Sequence, residues 1–152
     1  MCGRYELHTH PAAIALAFGL PGPPALRPRY NIAPMQPVPI VRQNSAGDRV
    51  LSEMRWGLVP RWAKDPSIGA KLINARGESV NEKPAFRNAM RRRRCLLPAD
   101  GFYEWKDEGG RKRPFCVRPK ECPRAARSID CGRWTLRVRT TTTTFTWIAA
   151  SS

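Results

Sequence analysis

Residue 2 is a cysteine, in MCGRY. Once the methionine before it is removed, its α-amine and its thiol sit on adjacent carbons, a pairing no internal cysteine offers. With ordinary pKa values of about 8 for the amine and about 8.5 for the thiol, part of the amine is neutral near pH 7. Such an amine condenses with an aldehyde to an imine, and the thiolate then closes on the imine carbon to give a five-membered thiazolidine. A general acid/base would assist both dehydration and ring closure. The alternative is an incidental thiol.

Partners for that chemistry recur along the chain. Asn74, Arg76 and Glu78 alternate in LINARGES, so in an extended segment they share one side. The amide would fix a substrate or the N-terminal amine, and the guanidinium offers a planar fork for phosphate; a polar turn hinged on Gly77 is the competing reading. Glu104 lies in ADGFYEWK, an expected strand with Phe102, Glu104 and Lys106 on one face and Tyr103 and Trp105 on the other. A carboxylate against aromatic walls gains a raised pKa and suits general acid/base work; otherwise it is a surface glutamate paired with an arginine. Trp56, Trp62 and Trp105, with Arg55, Arg61 and Arg76, are the mixture single-stranded nucleic acid favours. Bases stack on indoles while arginines track phosphates, although tryptophan serves equally in cores. The run Arg91 to Arg94 is either a phosphate-binding edge or a solvated helix end.

The whole composition agrees with an anionic partner. The chain has 152 residues, 27 basic against 12 acidic, and a formal net charge of +15. On a small domain that charge repels itself unless a polyanion neutralises it. Hydrophobic residues at 41% exclude a disordered acidic tail, and no apolar run reaches the roughly 18 residues a membrane span needs. Neither a signal peptide nor a disulfide framework is expected, since five cysteines is an odd count. With no C-x-x-C pair, and both histidines (His8 and His10) far from the later cysteines, no metal site is expected either.

The elements that must position these residues can be read coarsely. PAAIALAFGL predicts a short helix with Pro11 in its first turn and Gly19 at its end. The proline-rich LPGPPALRPRYNIAP predicts an extended connection rather than a regular element. Val38–Arg42 and Val50–Trp56 predict a hairpin around NSAGD. A long irregular stretch follows, and then a helix starting at Pro84. CLLPA, FYEWK and PFCVR predict short strands. Residues 121–152 are low in acids and carry a run of threonines, a composition that specifies elements poorly.

Five stretches in order, MCGRY, YNIAP, RWGLVPRWAKD, INARGES and CLLPADGFYEWK, resemble the SOS-response-associated peptidase (SRAP) family, whose members shield abasic sites in single-stranded DNA. The resemblance covers residues 1 to about 120 and implies one α+β domain with a curved, barrel-like mixed β core and short flanking helices. It implies that Met1 is removed by the protein itself and that Cys2 joins the aldehyde of an abasic site as a thiazolidine crosslink. Asn74 and Glu104 fall on the family's active-site asparagine and catalytic glutamate, and Arg4 and Arg76 on positions that hold the DNA backbone. Trp56, Trp62, Arg61 and Trp105 would complete the DNA surface. The family also has a histidine in a His-x-Arg-Met-Pro-like motif, which nothing in this sequence matches, so histidine-dependent steps such as lyase activity are expected to be impaired. Residues 121–152 are accordingly expected to be an atypical tail, frame-shifted or truncated. A cytoplasmic, nucleoid-associated monomer follows, acting on abasic single-stranded DNA with no cofactor, metal or membrane. The alternatives are a cysteine-type peptidase acting on peptides and an inactive fragment that only binds nucleic acid.

Overall fold

The computed structural model describes residues 3–118 and the backbone of a short strand at Thr144–Phe145. Four strands form the main sheet: β1 (Arg4–Leu7), β2 (Arg29–Ile32), β6 (Gly101–Glu108) and β7 (Arg111–Val117), in the order β2-β1-β6-β7. Strands β3 (Pro37–Gln43) and β4 (Arg49–Arg55) form a separate hairpin, and β5 (Ala75–Arg76) pairs with β8 (Thr144–Phe145). Every strand pair is antiparallel. Two helices, α1 (Pro11–Phe18) and α2 (Pro84–Arg92), and a 3-10 helix at Pro66–Lys71 complete the described elements. The α+β class is as expected. The barrel-like description holds only loosely, because the described strands lie in three sheets with no closed barrel among them.

Local chemistry explains most of these elements. Pro11 opens α1 where no N–H is needed, while the His10 imidazole accepts the Ala12 N–H at 3.3 Å. The helix stops at Gly19, whose left-handed φ of 63° lets its N–H turn back to the Ala15 and Leu16 carbonyls. In the β3–β4 hairpin the Asn44 side-chain oxygen accepts the Asp48 N–H at 2.8 Å, closing the turn.

Two local expectations give way to long-range pairing. The proline-rich connection contains β2, because Arg29–Ile32 finds β1 as its partner, with Tyr5 opposite Ile32. CLLPA makes only a single bridge, Leu96 with Val41, after which Pro98 has no N–H to continue a ladder.

The core follows from the sheet order. Strand β1 is internal, and Tyr5, Glu6 and Leu7 are all buried. Tyr5 and Leu7 pack with Ile14, Ile32, Val38, Ile40 and Trp56. A second cluster joins Leu58, Ala75, Val80, Phe86 and Ala89, and this cluster seats α2 on the segment carrying β5. The outermost strand, β7, is exposed along its length and carries Arg111, Lys112, Arg113 and Pro114, residue types that discourage pairing with another chain.

Candidate functional site

Strand alternation places Glu6 on the opposite face of β1 from Tyr5 and Leu7, and there it becomes the centre of a buried polar cluster. One carboxylate oxygen accepts the Arg118 Nε–H at 2.6 Å and the Cys116 thiol at 3.4 Å, and the other accepts the Tyr103 hydroxyl at 2.9 Å. That hydroxyl also lies 2.9 Å from the Tyr30 carbonyl, so three strands meet at this point. Burial alone would push the Glu6 carboxyl up; the bonds from Arg118, Tyr103 and Cys116, with the Arg118 charge, outweigh it and hold the group below its ordinary value. Burial and the adjacent carboxylate push Tyr103 and Cys116 up. His8 follows on the same face, with Nε2 3.6 Å from Glu6 and Nδ1 3.6 Å from Asp100, and its ring stacks on Tyr30. Asp100 accepts the Thr9 N–H at 2.7 Å as well as the Thr9 hydroxyl and the His8 N–H.

Glu104 occupies the other face of the same sheet. In β6 it lies opposite Phe115 of β7, and Arg4 pairs with Tyr103, one residue away from it. Glu104 is half-buried and Trp105 exposed, and together with Asp107 and Lys112 they line an open groove of about 380 Å³. Arg4 donates to the Asn31 side chain at 3.1 Å, which fixes it against β2. Cys2 lies outside the described residues; in sequence it precedes Gly3 and Arg4, the residues that lead into β1 beside β6. Of the thiols that are described, Cys95 is pushed to about 11 by burial and Cys116 upward by burial and Glu6, so both are held protonated.

Asn74 and Arg76 belong to a segment fixed by a tryptophan. The Trp56 indole N–H donates to the Ile73 carbonyl at 3.0 Å, immediately before Asn74. Leu58 donates to the Leu72 carbonyl at 3.1 Å. Between them Gly57, with φ 142°, lies so close to Gly69 that a Cβ would fall 2.6 Å from its carbonyl oxygen. The loop is thereby folded back on itself, with Asn74 half-buried and Arg76 exposed beside buried Ala75.

The expected DNA surface must therefore be corrected at one residue. Trp56 is fully buried, its ring edge-on to Tyr5 at 5.5 Å, so no base can stack on it while the core is intact. Trp62 is 63% exposed and Arg61 is exposed on the same loop. The structure thus carries Arg4 on β1 and Glu104 and Trp105 on neighbouring β6, with Arg4 opposite Tyr103 and so, by strand alternation, on the other face from Glu104. It carries Asn74 and Arg76 on a second segment, and Arg61 and Trp62 on the loop leading to it. Sequence reasoning missed the Glu6 cluster. Its signal was the alternation of Arg4, Glu6 and His8 through β1, with apolar Tyr5 and Leu7 between.

The chain is 44% identical over 109 residues to the abasic site processing protein YoaM of Bacillus subtilis, covering 70% of this chain and 48% of that one. It is 39% identical over 102 residues to the abasic site processing protein HMCES of Gallus gallus, covering 60% and 30%. The chain thus spans about half the length, or less, of these curated relatives. A crystal structure of a protein from Bacteroides thetaiotaomicron superimposes with a TM-score of 0.66 at 25% identity, over 80% of this chain and 56% of the other. The family model described as SOS response associated peptidase (SRAP) matches residues 1–151, running through the segment that composition set apart after residue 120. The chain belongs to the SOS response associated peptidase (SRAP) family.

Proposed function

We propose that this protein recognises abasic sites in single-stranded DNA and captures them covalently through Cys2. Hydrolysis of the Met1–Cys2 peptide bond consumes one water and exposes the aminothiol. The amine then adds to the ring-opened aldehyde and expels one water to give an imine. Addition of the thiol sulfur to the imine carbon, with its proton passing to nitrogen, closes the thiazolidine. Glu104 is the general acid/base of these proton transfers, and the Asn74 amide orients the amine. Arg4, Arg61 and Arg76 hold phosphates, while Trp62 and Trp105 stack bases.

One observation carries the reading: β1, which begins two residues after Cys2, is paired with β6 so that Arg4 lies beside the residue preceding Glu104. The names of the abasic site processing relatives support the substrate class. The test is a denaturing gel of protein with a single-stranded oligonucleotide carrying one abasic site. A shifted band that requires the aldehyde is expected, and an undiminished yield from Cys2→Ala would overturn the proposal.

A peptidase acting on separate peptides is the second reading, and the name of the family is what favours it. The described thiols Cys95 and Cys116 are held protonated, which counts against either of them as its nucleophile. Turnover of unrelated peptides by the purified protein would distinguish it.

A further inference from the structure

The basic run at residues 91–94 has no part in the chemistry above, and the structure gives it a definite setting. In α2 the buried face is Phe86 and Ala89, which pack against Leu58, Ala75 and Val80. The opposite face carries Arg87, Asn88, Arg91 and Arg92, all exposed, and Arg94 follows just past the helix end, also exposed. Among the described residues none of Arg87, Arg91, Arg92 and Arg94 has a carboxylate partner. No acidic residue lies within α2 to temper them. Arg87 and Arg91 are four residues apart and so share a ridge, separated by about 6 Å along the axis. That is about two steps of a nucleic-acid strand, which carries one charge per roughly 3.4 Å.

We infer that this ridge is a second phosphate-binding surface, over which the DNA strand continues beyond the abasic nucleotide. The inference rests on the abasic-DNA reading for the identity of the strand, although the ridge itself does not depend on Cys2. Its placement favours continuity: the helix is seated on Ala75, the residue between Asn74 and Arg76, so the cationic face is the outer side of the unit that holds the site's second segment. The chemistry favours a polyanion over a bilayer. An interfacial helix needs large apolar side chains on an accessible face, whereas Phe86 is buried and Met90 half-buried. Four clustered guanidiniums with no carboxylate partner among the described residues repel one another and gain most from a regularly spaced row of phosphates.

The test compares the full-length chain with a variant carrying Arg87→Gln, Arg91→Gln, Arg92→Gln and Arg94→Gln, after circular dichroism has shown the same unfolding midpoint. Binding is read by fluorescence anisotropy on unmodified single strands of 8 and 30 nucleotides across a salt series. On the long strand the slope of log K against log salt is expected to shrink by about 2 to 3, near 0.7 per lost arginine contact, with at least about tenfold weaker binding at 0.1 M salt. The loss should grow with strand length. An unchanged salt slope overturns the inference, as does a loss of equal size on both strands. If anionic vesicles show the arginine dependence and the oligonucleotides do not, the ridge is a membrane contact and the inference is also overturned. Because these strands have no aldehyde, a failure of the crosslinking reaction would leave this result standing, and the two ideas are separable.

Discussion

Two glutamates sit on neighbouring strands of one sheet and live in opposite conditions. Glu6 is 1% exposed and has three hydrogen-bond donors turned toward it, from β6, β7 and the residue after β7. Glu104 faces the other side, half-buried at the edge of an open groove with Trp105. A carboxylate saturated with donors is fixed as an anion and ties strands together. One that borders a groove is accessible to a ligand and can exchange protons with it. The sheet thus separates the two uses of the same side chain, stability on one face and proposed chemistry on the other.

The sharpest way to break that division is to neutralise each carboxylate in turn. Glu104→Gln keeps the shape and the strand, so the unfolding free energy should stay within about 0.5 kcal/mol of wild type. The single-turnover rate of crosslinking should fall by about 10²- to 10⁴-fold, the usual scale for a lost general acid/base. Quenched time courses on an abasic oligonucleotide measure it. A rate within twofold of wild type would remove Glu104 from the mechanism.

Glu6→Ala should do the reverse. It removes the acceptor shared by Tyr103, Cys116 and Arg118 and leaves a buried gap, with an expected loss of about 2 to 3 kcal/mol in urea unfolding. Arg118 is more than half exposed and can return to water, and Tyr103 keeps the Tyr30 carbonyl, so the loss should not approach that of a fully stranded buried charge. Protein that remains folded should crosslink at a rate much closer to wild type than Glu104→Gln does. If the rate collapses instead, the two faces of the sheet are not separate.

This comparison also shows what the sequence could disclose. The α1 boundaries, the β3–β4 hairpin and the start of α2 were legible because Pro11, Gly19, Pro84 and the Asn44–Asp48 turn act locally. Strand β2 was hidden, since its backbone partner in β1 lies more than twenty residues earlier. Trp56 and Trp62 show the same limit within one loop. Both stand beside arginines in a motif-rich stretch, and only packing against Tyr5 and the Ile73 carbonyl separates the buried indole from the exposed one. Glu6 escaped notice because an acidic residue in a strand reads as solvent-facing until the neighbouring strands supply its donors.

The two tryptophans give a smaller effect that sharpens the same lesson. Trp62→Ala should weaken binding of single-stranded DNA by about 1 to 2 kcal/mol, the scale of one lost base stack, with little change in stability. Trp56→Phe removes an indole N–H bonded to Ile73 and should lower stability by about 2 kcal/mol. Anisotropy and urea titrations on the same pair of variants would reveal the crossing. Similar affinity losses for both would mean that Trp62 acts through the fold rather than as a platform.

The least effect is expected from acid, and its sign follows from Glu6. The folded protein holds this carboxyl below its ordinary value, because Arg118, Tyr103 and Cys116 favour the anion more strongly than burial opposes it. The unfolded chain therefore takes up the proton first as pH falls, and stability is lost from about pH 4.3 downward through the lower folded value. Above that window the contribution is complete and flat. The stability difference between wild type and Glu6→Gln, followed by urea unfolding from pH 7 to pH 3, should stay constant at first and then shrink below about pH 4.3. A difference that widens in acid would mean that the native state prefers Glu6 protonated, and that burial rather than its donors governs the site.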